Sequence, residues 1–218
     1  MTHGPDCEAQ ATWESDPLVA INNGLLGMIY LALGRPEEAE PLARFAAANG
    51  WPTAIGMIGT HWAMRGDGDR AKKALMQSLE ARFDDPGMLE EAEGMISAIL
   101  AARASGGPSD ELRAEIATWP PATRFSAYAL FGQHNAAVRA LEEGVETDEA
   151  DRFRTWLRAI WQPLSASVRE DGAVFALFEG AGLVALWEHR GYPPGCARVE
   201  GAQGPRLDCA GFPAGTSG

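Results

Sequence analysis

Apolar residues recur along the first two-thirds of the chain at steps of three and four. Leu18, Ile21, Leu25, Leu26, Ile29 and Leu33 keep that rhythm, which is the period of one helix face. The spacing predicts a helix over 18–33, with Asp16 and Pro17 suited to its start and Gly34 to its end. Arg35-Pro36-Glu37-Glu38 opens a second segment, because an early proline fits the first turn and acids favour the positive helix end. That segment runs to Asn49-Gly50, and Trp51-Pro52 opens a third. Strand-type alternation of polar and apolar residues is almost absent. The body therefore reads as helices of about 10 to 16 residues separated by turns that carry Gly and Pro.

The turns themselves repeat. Tyr30, Gly34 and Ala39 are spaced like Trp62, Gly66 and Ala71, 32 residues later. Tyr128, Gly132 and Ala137 repeat the spacing 66 residues after the second copy, about two repeat lengths. Each copy sets an aromatic near the end of one helix, a glycine at the turn and a small alanine on the next helix. Glycine permits the reversal, alanine permits close approach, and the aromatic fills the space between. Gly27 and Gly59, three residues before the aromatic, extend the match in two copies; Phe125 stands there in the last.

This pattern resembles the tetratricopeptide repeat. Gly27, Tyr30, Gly34, Ala39 and Ala46 match its spacing, Pro52 lies close to its closing proline, and Gly59, Trp62, Gly66 and Ala71 match in the second copy. A middle copy falls at about 88–118, where Leu89, Ala92, Met95, Ile96, Ile99 and Leu100 are helical in pattern. Its turn, Ser105-Gly106-Gly107-Pro108, is irregular, so it reads as a degenerate repeat. The resemblance implies an all-α fold, a right-handed solenoid of antiparallel helix pairs over 17–145.

The last third has a second likeness. Val168-Arg169-Glu170-Asp171, Phe175, Gly182-Leu183-Val184, Trp187, Gly191-Tyr192-Pro193-Pro194-Gly195-Cys196 and Asp208-Cys209 follow in order. They are similar to the segment that closes the repeat arrays of bacterial winged-helix transcriptional regulators and of adenylate cyclases bearing such repeats. Gly172 replaces a proline of that pattern, Leu186 a tyrosine and Tyr192 a tryptophan. The resemblance implies capping helices over 146–190, an irregular Gly/Pro-rich tail over 191–218, and a sensory or scaffolding role in bacterial signalling or transcription regulation. Residues 1–16 are expected to be a mobile N-terminal segment. Neither a winged helix nor a cyclase domain is expected within these 218 residues, so any output is expected on another chain or not at all.

Charge and composition narrow the partners. Acidic residues outnumber basic ones 30 to 18, for a net charge of −12, and no basic patch is visible, so direct nucleic-acid binding is not expected. No apolar run reaches the roughly 20 residues of a membrane span. MTHGPDCEAQ has no basic-then-apolar leader, so the expected location is cytoplasmic, or periplasmic where the chain is part of a membrane-anchored regulator. The 25 Gly and 14 Pro divide in two: periodic turn and helix-start residues over 18–145, and an aperiodic set over 191–218.

Candidate chemistry is sparse. Cys196 and Cys209 lie in the Gly/Pro-rich tail, and the residues leave two states open. A disulfide would close a loop worth roughly 3 kcal/mol, whereas reduced thiols suit a cytosolic chain. In the resembled proteins this region often lies outside the membrane, which favours the bond. Cys7 is expected to be free, no Cys-x-x-Cys occurs, and no His has ligand spacing to a Cys, so no metal is expected. Gly180-Ala181-Gly182-Leu183-Val184-Ala185 fits G-x-G-x-x-A, but the flanking strands of a dinucleotide site are missing, so it reads as a helix-to-helix turn. His61, His134 and His189 match no triad motif and read as histidines satisfied at helix ends; Glu37-Glu38, Glu90-Glu91 and Glu142-Glu143 read as solvated faces. No enzyme and no cofactor is expected.

Stacked helix pairs offer a concave face lined by the first helix of each pair. By the register of the resembled repeat, that face includes Gly24, Met28 and Leu31, then Gly56, Thr60 and Met64, then Ala122, Ser126 and Ala129. The side chains that would touch a ligand are Met28, Leu31, Thr60, Met64 and Ser126. Small and apolar residues in place of Lys, Arg and Asn argue against a carboxylate clamp and for an apolar protein segment or peptide. The alternative is a sensor for a small-molecule effector, held between the repeats and the C-terminal helices. Of the seven tryptophans, Trp119 and Trp161 are the groove candidates, since both adjoin a proline or helix boundary.

Overall fold

The computed structural model describes residues 16, 18–147, 160, 165–193, 195–202 and 204–209. The chain is mostly helical, with one small antiparallel hairpin, and divides into two compact units after Ser109. The division falls inside the stretch read as one set of repeats. Residues 1–15 and, within the expected capping helices over 146–190, residues 148–159 and 161–164 lie outside the described residues, and with them Cys7, Trp13, Trp156 and Trp161.

The first unit contains α1 (Ala20–Ala32), α2 (Pro36–Ala48), α3 (Thr53–Met64), α4 (Gly68–Glu80) and α5 (Pro86–Ala104). The expected start signals act at α2, where Pro36 leads and Glu37 and Glu38 occupy the first turn. Asp67 caps α4 by accepting from the Arg70 amide, and Asp85 caps α5 by accepting from the amides of Gly87 and Met88. Asp16 does not cap α1, which begins only at Ala20 after an extended Val19.

Helices α1 and α2 form one antiparallel pair and α3 and α4 a second; α1 and α2 both pack on α3, and α4 packs on α5. The close of each first helix explains the aromatic–glycine spacing. The amide of Arg35 donates to the Tyr30 carbonyl and that of Gly34 to the Leu31 carbonyl. Asp67 and Gly66 repeat this on Trp62 and Ala63, and in the second unit Gln133 and Gly132 repeat it on Tyr128 and Ala129. This is the Schellman closure, which needs a left-handed residue four places after the aromatic. Gly34, Gly66 and Gly132 fill that place at φ +70°, +78° and +67°. Ala39, Ala71 and Ala137 are fully buried.

Two expectations about helices change. The α1 periodicity is not one face: Leu26 is buried, whereas Leu18, Ile21 and Leu25 are 77%, 51% and 45% exposed. The helix is apolar on opposite sides. Over 88–118 two helices of unequal length follow each other, the 19-residue α5, longer than the range anticipated, and the seven residues Asp110–Ile116, and the division into two units falls between them. The turn after α5 closes at Gly107, whose amide donates to the Ala102 carbonyl.

The second unit contains α6 (Asp110–Ile116), the pair α7 (Pro121–Leu130) and α8 (His134–Thr147), then α9 (Ala166–Arg169), α10 (Gly172–Gly180) and α11 (Leu183–Arg190). Its core gathers Phe125, Leu141, Val168, Val174, Phe175 and Phe178. Gly182, at φ +76°, turns α10 into α11, so the G-x-G-x-x-A stretch is the helix-to-helix turn the sequence suggests.

The tail corrects the all-α expectation. Residues 191–218 are not wholly irregular: β1 (Ala197–Gly201) and β2 (Gly204–Asp208) pair from Ala197↔Asp208 to Gly201↔Gly204. Cys196 and Cys209 are disulfide-bonded just beyond the open end of this ladder. Leu207 on β2 is completely buried in the second unit's core and Arg198 on β1 reaches Glu188 of α11 at 3.2 Å, so these contacts and the disulfide hold two short strands in place.

Candidate functional site

Within the first unit, the end of α3, the turn after it and the end of α5 enclose a cleft of about 400 Å³. Met64 and Leu100 supply its larger apolar side chains, Gly66 and Gly68 bare backbone, and Arg65 and Arg103 charge. Local signals place each part. Gly66 closes α3 and brings the chain back at Gly68, where Asp67 starts α4. Arg103, in the last turn of α5, donates through Nε to the Ala63 carbonyl at 2.8 Å and through Nη2 to the Met64 carbonyl at 2.6 Å. It thereby satisfies two carbonyls at the negative end of α3 and fixes one wall of the cleft to the other.

Arg70 and Trp62 stiffen the neighbourhood. The Arg70 guanidinium lies 3.4 Å from the Trp62 ring centroid and reaches Glu40 at 2.6 Å, while Arg44 reaches the other oxygen of the same carboxylate at 2.6 Å. Burial would raise the Glu40 pKa, but hydrogen bonds from Arg44 and Arg70 outweigh it and hold the carboxyl below its ordinary value. Glu40 therefore links α2 to α4.

His61 departs from the expected satisfied histidine. Its ring stands edge-on to Trp62 at 5.4 Å, and its buried Nε2 has no hydrogen-bond partner. Burial lowers its pKa, Arg65 and Arg70 push the same way, and Glu37 opposes them. In the unfolded chain the imidazole takes its proton near 6.5, whereas the folded chain needs more acid. The stability owed to neutral His61 is thus present above that range and falls as the pH drops through it. His61→Leu should flatten the loss of stability between about pH 7.5 and about pH 5, read from urea midpoints; an unchanged slope would refute it.

His134 behaves as expected. Its Nε2 is 2.6 Å from Asp171 Oδ2, and the other oxygen of Asp171 accepts from the Ala173 amide to cap α10. His189 is exposed. Glu37, Glu38, Glu90, Glu91 and Glu143 are exposed and Glu142 is half-buried, on three separate helices. Among the described residues, no group of three or more His, Cys, Asp or Glu could hold a metal ion, and no helix is long and apolar enough to cross a membrane.

The expected groove positions are scattered. Only Met64 lines the cleft. Leu31 is buried core, so it offers a ligand nothing to touch, which corrects its place in the groove set. Met28 and Thr60 are half-buried, and the Thr60 hydroxyl donates to its own helix at the Gly56 carbonyl. Ser126 is exposed in the second unit and donates to the Ala122 carbonyl. Gly24 is covered by the Trp51 ring, because a Cβ there would lie 1.9 Å from Trp51 Cζ3. Trp119 is buried rather than groove-lining. Sequence reasoning missed Arg65, Leu100 and Arg103 as partners of Met64; Leu100 carried a helical-period signal, but nothing local tied it to α3.

Comparison with protein-family models, curated proteins and solved structures found no match to this chain.

Proposed function

We propose that the chain is a non-catalytic helical interaction module that takes an apolar segment of a partner protein into the Met64–Leu100 cleft. The observation that carries the reading is the cleft itself. Its volume of about 400 Å³ sits within the range of ligand-binding pockets, and the flexible Met64 suits an adaptable apolar contact. Exposed Arg65 on the lining favours a carboxylate beside the apolar residue of the partner. The scattered carboxylates and the separated histidines support a binding role over catalysis. The resemblance of the tail residues to those of repeat-bearing regulators favours a sensory or scaffolding part in bacterial signalling or transcription regulation.

Selection of peptides from a random display library against the protein tests this. Enriched sequences should share an apolar residue beside Asp or Glu. Met64→Glu should weaken their binding at least about tenfold, or about 1.4 kcal/mol, with an unchanged far-ultraviolet circular dichroism spectrum. Met28→Glu, which does not line the cleft, should bind normally. Equal binding by the Met64 variant would sink the reading. The same volume favours a second one, a small-molecule effector site; a metabolite that raises the melting temperature of the wild type but not of Met64→Glu would favour that instead.

A further inference from the structure

We propose that His61 makes occupation of the cleft pH-dependent: it takes up a proton when a partner carboxylate pairs with Arg65, so acid tightens the hold on the partner. The inference rests on the reading that the Met64–Leu100 cleft takes an apolar residue with a carboxylate beside it.

His61 stands one helical turn before Arg65, whose amide donates to the His61 carbonyl at 3.2 Å. Both flank the Trp62 ring, the imidazole at 5.4 Å and the Arg65 guanidinium at 5.9 Å from its centroid. Arg65 lines the cleft, whereas His61 sits behind that wall. The buried Nε2 has no hydrogen-bond partner, so no bond at that atom competes with the neighbouring charges. Burial opposes the proton most; Arg65 adds to that, Glu37 of α2 favours the proton, and Arg70 of α4 opposes it. Helix α1 brings no charge from Ala20 to Ala32, and Arg103 of α5 sits on the Ala63 and Met64 carbonyls.

Of these charges, Arg65 is the one a partner changes. Arg70 already has Glu40 at 2.6 Å, but Arg65 has no ion-pair partner among the described residues. A carboxylate paired with Arg65 offsets its repulsion of the imidazolium and attracts the proton itself. The complex therefore binds that proton more readily than the free chain does. By reciprocity, the protonated chain binds the partner more tightly than the neutral one. Affinity is lowest well above pH 6.5, the ordinary value of the imidazole, and rises as the pH falls through the range below it.

The probes are peptides enriched on the wild type, acetylated and amidated, and titrated at about pH 7.5 and about pH 5.5, where their Asp and Glu stay ionised. Binding should be about threefold tighter at the lower pH, the scale of a screened charge pair near the surface. His61→Leu, or His61→Gln if the first does not fold, should lose the dependence. So should a peptide whose Asp or Glu is replaced by Asn or Gln. Proton resonances of the imidazole, assigned by their loss in the His61 variant, give a second readout. Their titration midpoint should rise when peptide saturates the wild type, and Arg65→Gln should raise it without any peptide. A midpoint that ignores bound peptide, or an affinity that is flat or weaker in acid, overturns the coupling and leaves the cleft reading standing. Failure to enrich any peptide whose binding depends on Met64 overturns both.

Discussion

Replacing Cys196 and Cys209 by alanine should cost the second unit about 3 kcal/mol, the chain-entropy value for a loop of this size. The two residues are 13 apart in sequence and lie where the strand ladder opens. An isolated two-stranded hairpin is marginal in water, so this one depends on what anchors it. The anchors are Leu207 and Cys209, both buried in the core that also holds Phe175 and Phe178. Without the bond, Leu207 and the Arg198 contacts to Glu188 and the Phe175 ring must hold the hairpin against the chain entropy it gains by leaving. Once it leaves, apolar core is exposed to water. Trp187 provides a local reporter, because its ring sits 5.3 Å from Phe178 and 5.9 Å from Tyr192. Urea unfolding followed by near-ultraviolet circular dichroism should show the transition of that cluster at lower denaturant in the double variant. Thiol titration of denatured, unreduced wild type should find one free thiol of the three cysteines. Three free thiols would refute the bond.

What the sequence showed plainly is what local geometry encodes. The aromatic and the glycine four residues on form a closure whose hydrogen bonds span six residues, and the alanine follows five beyond the glycine, so three copies could be read without any tertiary information. Ala39, Ala71 and Ala137 were legible for the same reason. The outward side of α1 was not, because periodicity reports apolar positions and not which of them find a neighbour. Leu18, Ile21 and Leu25 counted the same as Leu26 until packing separated them. The hairpin escaped because ARVEG and GPRLD are short, and only Leu207 is buried, so no alternating run announces a strand. The cleft escaped for a third reason. Arg103 reaches the carbonyls of residues 39 and 40 places earlier, and no local rule joins positions so far apart.

The same substitution, glycine to alanine, should destabilise at one helical position, be neutral at a second and stabilise at a third, and the contrast tests the packing of the first unit. At Gly59 on α3, an added Cβ would lie 2.7 Å from Leu75 Cγ, 3.0 Å from the Leu75 amide nitrogen and 3.1 Å from the Ala71 carbonyl oxygen. Two of those atoms are backbone of α4 and cannot swing aside, so the two helices must move apart. Overpacking of this kind costs about 1–3 kcal/mol, against the roughly 0.5–1 kcal/mol that alanine returns in helix propensity. Gly59→Ala should therefore destabilise by about 1–2 kcal/mol. Gly27 occupies the matching place on α1, but its nearest neighbour, the Ala39 carbonyl oxygen, is 3.3 Å from the added Cβ. A shift of a few tenths of an ångström suffices there, so cost and propensity nearly cancel and the change should be within about 0.5 kcal/mol of zero. Gly94 on α5 is exposed with nothing within 4 Å, and Gly94→Ala should stabilise by about 0.5–1 kcal/mol. Urea midpoints of the three variants at equal m-value give the order directly. If Gly59→Ala stabilised the protein as much as Gly94→Ala, the close approach of α3 and α4 would be wrong, and with it the reason for glycine three places before Trp62.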